Sequence, residues 1–200
     1  FLDIAGASCG ALLPTGQVVD EVDGVRATCI DHGMPVVILD AAQFGKTGAE
    51  SPQELEADTE LKARIEALRL ELGQRMTLGD VTNKTVPKMC LVSAPREGGV
   101  IATRTFIPHR VHEAIGVLGA VSVATACMLP GSVAAEIADI EAGDGERRLN
   151  VEHPTGFFTV DIDVSTAGGT IEVRRAALLR TARLLMRGDI FVPASVWSAP

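Results

Sequence analysis

Val111-His112-Glu113-Ala114-Ile115-Gly116-Val117-Leu118-Gly119-Ala120-Val121-Ser122-Val123-Ala124-Thr125-Ala126-Cys127-Met128 is the most apolar run of the chain, and Pro130-Gly131 closes it. Its spacing predicts a helix over 111–128. Apolar residues occupy every side of that helix, so it belongs inside protein and not on a surface. The small residues Gly116, Gly119, Ala120, Ser122 and Ala124 would let strands approach its axis closely. The most apolar part, 114–129, has the length of a core helix and falls short of the roughly 20 residues that a bilayer requires.

Working outward, 25–30 and 35–39 are β-rich segments joined through Asp31-His32-Gly33-Met34. Ser51-Pro52-Gln53-Glu54 is a capping box with Pro at the first helical position. Leu61, Ile65, Leu68 and Leu72 continue it at helical spacing, and Gly73 offers a stop. One outer helix with a charged face is expected there. Strands are expected at 89–93, 100–106, 157–164 and 170–179, the last after the Gly168-Gly169 turn, with 143–148 as a polar loop. The architecture is therefore α+β: a curved sheet wrapped around one buried helix, plus an outer helix, without regular βαβ alternation.

Apolar residues make up 46% of the chain and charged residues 22%, a globular balance, and aromatic residues are few. The formal charge of −8 argues against nucleic-acid binding, which needs a concentrated basic face. No transmembrane span is legible, so no membrane partner is expected. Cys9, Cys29, Cys90 and Cys127 form no CxxC pair, and three of them sit in apolar runs. Free thiols in a reducing cytoplasm are the simpler reading. The chain enters at Phe1 directly into the strand-like Phe1-Leu2-Asp3-Ile4, and an upstream half of the polypeptide is expected.

Chemistry concentrates in four turn-rich segments: Ala7-Ser8-Cys9-Gly10, Asp31-His32-Gly33-Met34-Pro35, Phe106-Ile107-Pro108-His109-Arg110-Val111-His112, and Glu152-His153-Pro154-Thr155-Gly156. The third precedes the apolar helix. A helix N-terminus carries unpaired N–H groups and a partial positive charge, and His109, Arg110 and His112 there would add donors. Three readings stay open for it: a carboxylate pocket, ordinary first-turn surface residues, or a metal site without a convincing third ligand. His32 and His153 read first as turn residues. Cys9 is the thiol least like a core residue, and Lys88 enters a strand from which an ammonium could reach a pocket. No GxGxxG, P-loop, HExxH or nucleophile elbow is present.

Taken together in order, 5–16, Asp31-His32-Gly33-Met34-Pro35-Val36-Val37, Val86-Pro87-Lys88-Met89, 106–131, Glu152-His153-Pro154-Thr155-Gly156 and 180–188 resemble the C-terminal half of the PrpF-like family that contains 2-methylaconitate isomerase and 4-oxalomesaconate tautomerase. Ser8-Cys9-Gly10, Phe106-Ile107-Pro108-His109 and His112 resemble the oxalomesaconate branch more closely. The resemblance implies a diaminopimelate-epimerase-like fold of two pseudo-symmetric domains, each a sheet rolled around a central helix, with the site in the cleft between them. It implies residues 1–170 as the C-terminal domain and 171–200 as a segment that crosses back to the N-terminal domain.

It further implies cofactor-free tautomerisation or allylic isomerisation of a small polycarboxylate, without metal or nicotinamide. The N-terminal half is the expected partner, and a homodimer is compatible with it. Substrate contacts are expected from Ser8, Cys9, His32, Gly33, Met34, Lys88, His109, His112, Ala114, Ile115 and Gly116. Met34 stands where related epimerases carry Asn, so that likeness concerns position more than chemistry. His112 is the one candidate catalytic group here, since the family's main acid/base Cys and Lys belong to the N-terminal half. The alternatives are 2-methylaconitate cis–trans isomerisation and a carboxylate-binding module without catalysis.

Overall fold

The computed structural model describes residues 4–165, 167, 172–179, 182–193 and 195–197. Most of the strand-like start at 1–3 and the Gly168-Gly169 turn fall outside them. Eight strands form one sheet whose spatial order follows the chain: β1 Asp20–Val22, β2 Val25–Asp31, β3 Pro35–Asp40, β4 Lys88–Ser93, β5 Ile101–Phe106, β6 Gly145–His153, β7 Gly156–Ser165 and β8 Glu172–Leu178. Neighbours are antiparallel except β3/β4 and β5/β6. Parallel neighbours need a crossover. The first carries helices α1 Pro52–Ala57 and α2 Thr59–Arg75, the second α3 Val117–Cys127 and α4 Val133–Ile137.

The two parts of the sheet are buried differently, and the residue patterns say why. In β2–β4 both faces are covered. Ile30, Val36, Ile38, Cys90 and Val92 pack toward α3, whereas Cys29, Val37, Leu39, Met89 and Leu91 pack toward α2. Strands buried on both faces read as continuous apolar runs. In β7 only Phe158, Val160, Ile162 and Val164 face the α3 core, which produces the alternation seen in the sequence. Strands β2 and β3 from one part and β6 and β7 from the other all touch α3. The sheet therefore curls around that helix and stays open between β1 and β8.

The α+β architecture and the buried helix agree with the sequence expectation, and four local features differ. Helix α3 begins at Val117, six residues later than 111. The preceding residues use their backbone groups elsewhere: Ile107 N–H bonds Arg110 O, His112 N–H bonds Thr105 O, and Val111 N–H bonds the Glu56 carboxylate of α1. The outer helix is two helices, because Asp58 ends α1 and its carboxylate caps α2 at Leu61 N–H. Gly73 is no stop; α2 continues to Arg75, and a Cβ at Gly73 would stand 2.7 Å from Val81. The loop expected over 143–148 gives way to β6 from Gly145, paired along its whole length with β7. Among the described residues no helix is long and apolar enough to cross a membrane.

Buried charge ties the loops to this frame. Glu152, in β6, accepts backbone N–H bonds from Arg96, Glu97 and Gly99 at 2.8–3.1 Å. Burial opposes its ionisation, but these donors outweigh burial and hold the carboxyl below its ordinary value. The unfolded chain therefore takes up the proton first. The stabilisation is complete above about pH 5 and declines as acid protonates the folded carboxyl. Glu152→Gln should cost about 1–3 kcal/mol in denaturant melts at neutral pH, and the variant should lose less stability than the parent on acidification below about pH 4.5.

Candidate functional site

A cavity of about 270 Å³ opens at the N-terminal end of α3. Its apolar walls come from Met34 and Val36 at the start of β3, Ile107 and Ile115 in the loop before α3, and Val117, Leu118 and Val123 on the helix. Cys90 and Thr105, paired across β4 and β5, line it as well, and Thr105 Oγ1 lies 3.6 Å from Cys90 Sγ. The ionisable groups best placed for an anion are Lys88 and His112. A mostly apolar cavity with a few convergent polar groups is the usual form of a small-molecule site.

The helix end itself contributes donors. Val117, Leu118 and Gly119 line the cavity, and first-turn N–H groups have no carbonyl one turn earlier to bond. The N-cap is Gly116, which makes no side-chain capping bond. The expectation that the glycines let strands close on α3 is corrected here. A Cβ at Gly116 would touch nothing, and one at Gly119 would meet only Ile115 at 3.6 Å. The buried Ala120, Ser122, Ala124 and Ala126 are the small residues within the core. Gly116 and Gly119 leave the cavity open and the helix end bare.

His112 has a defined orientation. Its Nδ1 accepts the Ala114 N–H at 2.9 Å, so the neutral ring carries its proton on Nε2 and acts there as a donor. His153 stands close enough to feel His112. Burial first, and His112 among the lesser causes, push its imidazole below the ordinary value. Thr155, in the turn after His153, donates to Glu113 O at 3.2 Å and so ties the β6–β7 turn to the loop before α3.

The residues expected at the site divide into two groups. Met34, Lys88, His112, Ile115 and Gly116 come together on the cavity, and Ala114 serves it indirectly by bonding His112. His109 points elsewhere: it is exposed, with Nδ1 3.9 Å from the Glu66 carboxylate on α2. His32 is buried and used internally. Its N–H bonds Ser122 Oγ and its Nδ1 lies 2.7 Å from Thr125 Oγ1, while Ser122 Oγ donates to Met34 O. These bonds pin the His32–Gly33–Met34 turn to α3, and Gly33 (φ 85°) leaves room for Ile4. Ser8 and Cys9 lie off the cavity, where their N–H groups bond the buried Asp31 carboxylate. Cys9 packs with the α2-side core, and burial together with Asp31 pushes its thiol up to about 12. Among the described residues no three His, Cys, Asp or Glu side chains converge to hold a metal.

Cys90 and Thr105 were missed by the sequence reading. The period-two rule could have found Cys90, since it shares a strand face with Lys88; Thr105 required the β4/β5 register.

The family model for PrpF protein matches residues 1–193. The chain belongs to the PrpF family. It is 56% identical over 200 residues to the 4-oxalomesaconate tautomerase of Pseudomonas putida, covering 100% of this chain and 54% of that protein. It is 56% identical over 192 residues to a (4E)-oxalomesaconate Delta-isomerase from a Novosphingobium species, covering 96% and 53%. A 2-methyl-aconitate isomerase of Shewanella oneidensis is 29% identical over 207 residues, covering 92% and 51%. The crystal structure of a methylitaconate-delta-isomerase superposes with a TM-score of 0.74 at 20% identity, over 89% of this chain and 52% of that one; it shares the fold. This PrpF chain spans about half the length of the curated relatives it matches.

Gly116→Asp should separate the two uses of the bare helix end in this PrpF chain. The new carboxylate would cap α3 and raise thermal stability by a few tenths of a kcal/mol. The same group would occupy the donors and repel anions, weakening binding of a tricarboxylate probe such as citrate about tenfold in calorimetric titration.

Proposed function

We propose that this chain is the C-terminal half of a cofactor-independent tautomerase that moves a proton on a small oxo-tricarboxylate such as 4-oxalomesaconate, in the cytoplasmic breakdown of aromatic acids. The observation that carries the reading is the convergence of the bare α3 N-terminus, Lys88 and His112 on one apolar cavity. The 56% identity to relatives named for oxalomesaconate, against 29% to a 2-methyl-aconitate isomerase, supports that branch.

The chemistry asks for a base to take a proton from carbon beside a carbonyl, an acid to return one elsewhere on the conjugated system, and donors for the developing enolate. This half supplies donors. The α3 N–H groups and Lys88 hold carboxylate oxygens, His112 Nε2–H donates to a third polar atom, and Met34, Ile107 and Ile115 exclude water from the carbon skeleton. The upstream half brings the base and closes the cavity from the other side. Of the segment 171–200 expected to cross back, Glu172–Leu178 is β8 of this sheet, and the part after β8 is the one that reaches across. Leu184, Leu185, Met186, Ile190, Phe191 and Trp197 are strongly exposed, as a segment awaiting a partner surface would be.

Deuterium incorporation into 4-oxalomesaconate in D2O, followed by NMR with both halves present, tests the reading. Fast exchange that needs this chain supports it. A clear preference for 2-methylaconitate would move the assignment to the other branch, and binding without exchange on either substrate would leave a carboxylate-binding module. His112→Ala should lower the rate about tenfold; an unchanged rate removes His112 from the site.

A further inference from the structure

Arg69 is a cation buried to 0% exposure on α2, across the sheet from the cavity. Its Nε and Nη2 form a bidentate pair with Glu66 at 2.7 Å each. Its Nη1 donates to Val81 O, Lys84 O and Val86 O at 2.9–3.3 Å. All three carbonyls belong to the loop that leads from α2 into β4. The guanidinium grips it on the α2 face, and Lys88, its first strand residue, emerges on the cavity face beside Cys90. Lys88 Nζ is held in turn by Thr85 O, at 2.5 Å, within the same gripped loop.

We propose that Arg69 is a positioning residue that acts through Lys88, fixing from the far face of the sheet where the Lys88 ammonium stands as donor to the substrate's developing enolate or carboxylate oxygen. The proposal rests on the tautomerase reading for the role of Lys88, while the coupling of the two side chains stands apart from it. Burial first, and the Arg69 charge second, lower the Lys88 pKa. A weaker hold on its protons makes the ammonium a stronger donor to an oxyanion. The other ionisable groups near this arrangement are Glu66, which neutralises much of the Arg69 field, His109 beside Glu66, Lys84 in the gripped loop, and Cys90 and His112 in the cavity.

The full-length protein with 13C-labelled lysines tests this. The Lys88 ε-carbon signal is assigned by its loss in Lys88→Met and titrated through the alkaline range. Arg69→Gln should raise the Lys88 midpoint by about half a pH unit, and Glu66→Gln, which unmasks the Arg69 charge, should lower it by a similar amount. Opposite shifts support the proposal. Equal, same-direction or absent shifts show that Arg69 holds the loop without acting on Lys88 and overturn it. Glu66 is partly exposed, so Glu66→Gln decides alone if Arg69→Gln fails to fold: a downward shift supports the proposal, and an unmoved midpoint overturns it. The titration needs no substrate. Opposite shifts without turnover of 4-oxalomesaconate by any form would sink the tautomerase reading and leave the coupling intact.

Discussion

The fit of α3 into the curl of the sheet places nearly everything else. Ala120, Val121, Val123, Ala124 and Ala126 are fully buried, and short side chains on the helix let strands from both ends of the sheet reach it. A helix so enclosed has no freedom to slide or rotate, because each contact is close-packed. Its N-terminus is thereby fixed relative to β3, β4 and β5, whose residues form the opposite wall of the cavity. Polar ties add register to this packing. Ser122 and Thr125 hold the His32–Met34 turn against the helix, which sets Met34 at the cavity rim.

Buried charge in this protein serves loops. Asp31 collects the N–H groups of Ser8 and Cys9, Glu152 those of Arg96, Glu97 and Gly99, and Arg69 the carbonyls of Val81, Lys84 and Val86. In each case a buried acidic or basic side chain in an ordered element takes up backbone groups of an irregular segment, groups that would otherwise be costly to bury. Three loops without regular ladders thus gain defined paths.

These clasps also mark how far the sequence could be read. Apolar periodicity showed the buried helix, the outer helix and most strands, because those patterns are local. The start of α3 was not local. It depends on Glu56, 55 residues away, taking the Val111 N–H, and on a turn at 107–110 that a count of apolar residues cannot reveal. That turn sends His109 and His112 in different directions, although helical spacing would have put them on one face. Cys9 looked loop-like between Ser8 and Gly10, yet Asp31 draws it into the core from 22 positions further along. Arg69 reads as one more charge on a solvated face; its burial comes from carbonyls 12–17 residues downstream. Lys88 was legible because a strand start announces itself over a few residues; Met34 and Gly116 came through the family resemblance, since apolar spacing had put Gly116 inside the helix and not at its cap.

The sequential order of the strands also shapes how the chain is made. Each strand finds its partner already synthesised, so pairing can follow the ribosome from β1 onward. The exception is α3. It emerges after β5, while the strands that complete its cradle, β6 and β7, are still to come. For that interval the most apolar segment of the protein has half its cover. The delay puts the hazard of self-association in one stretch of translation, between the end of α3 and the β6–β7 hairpin.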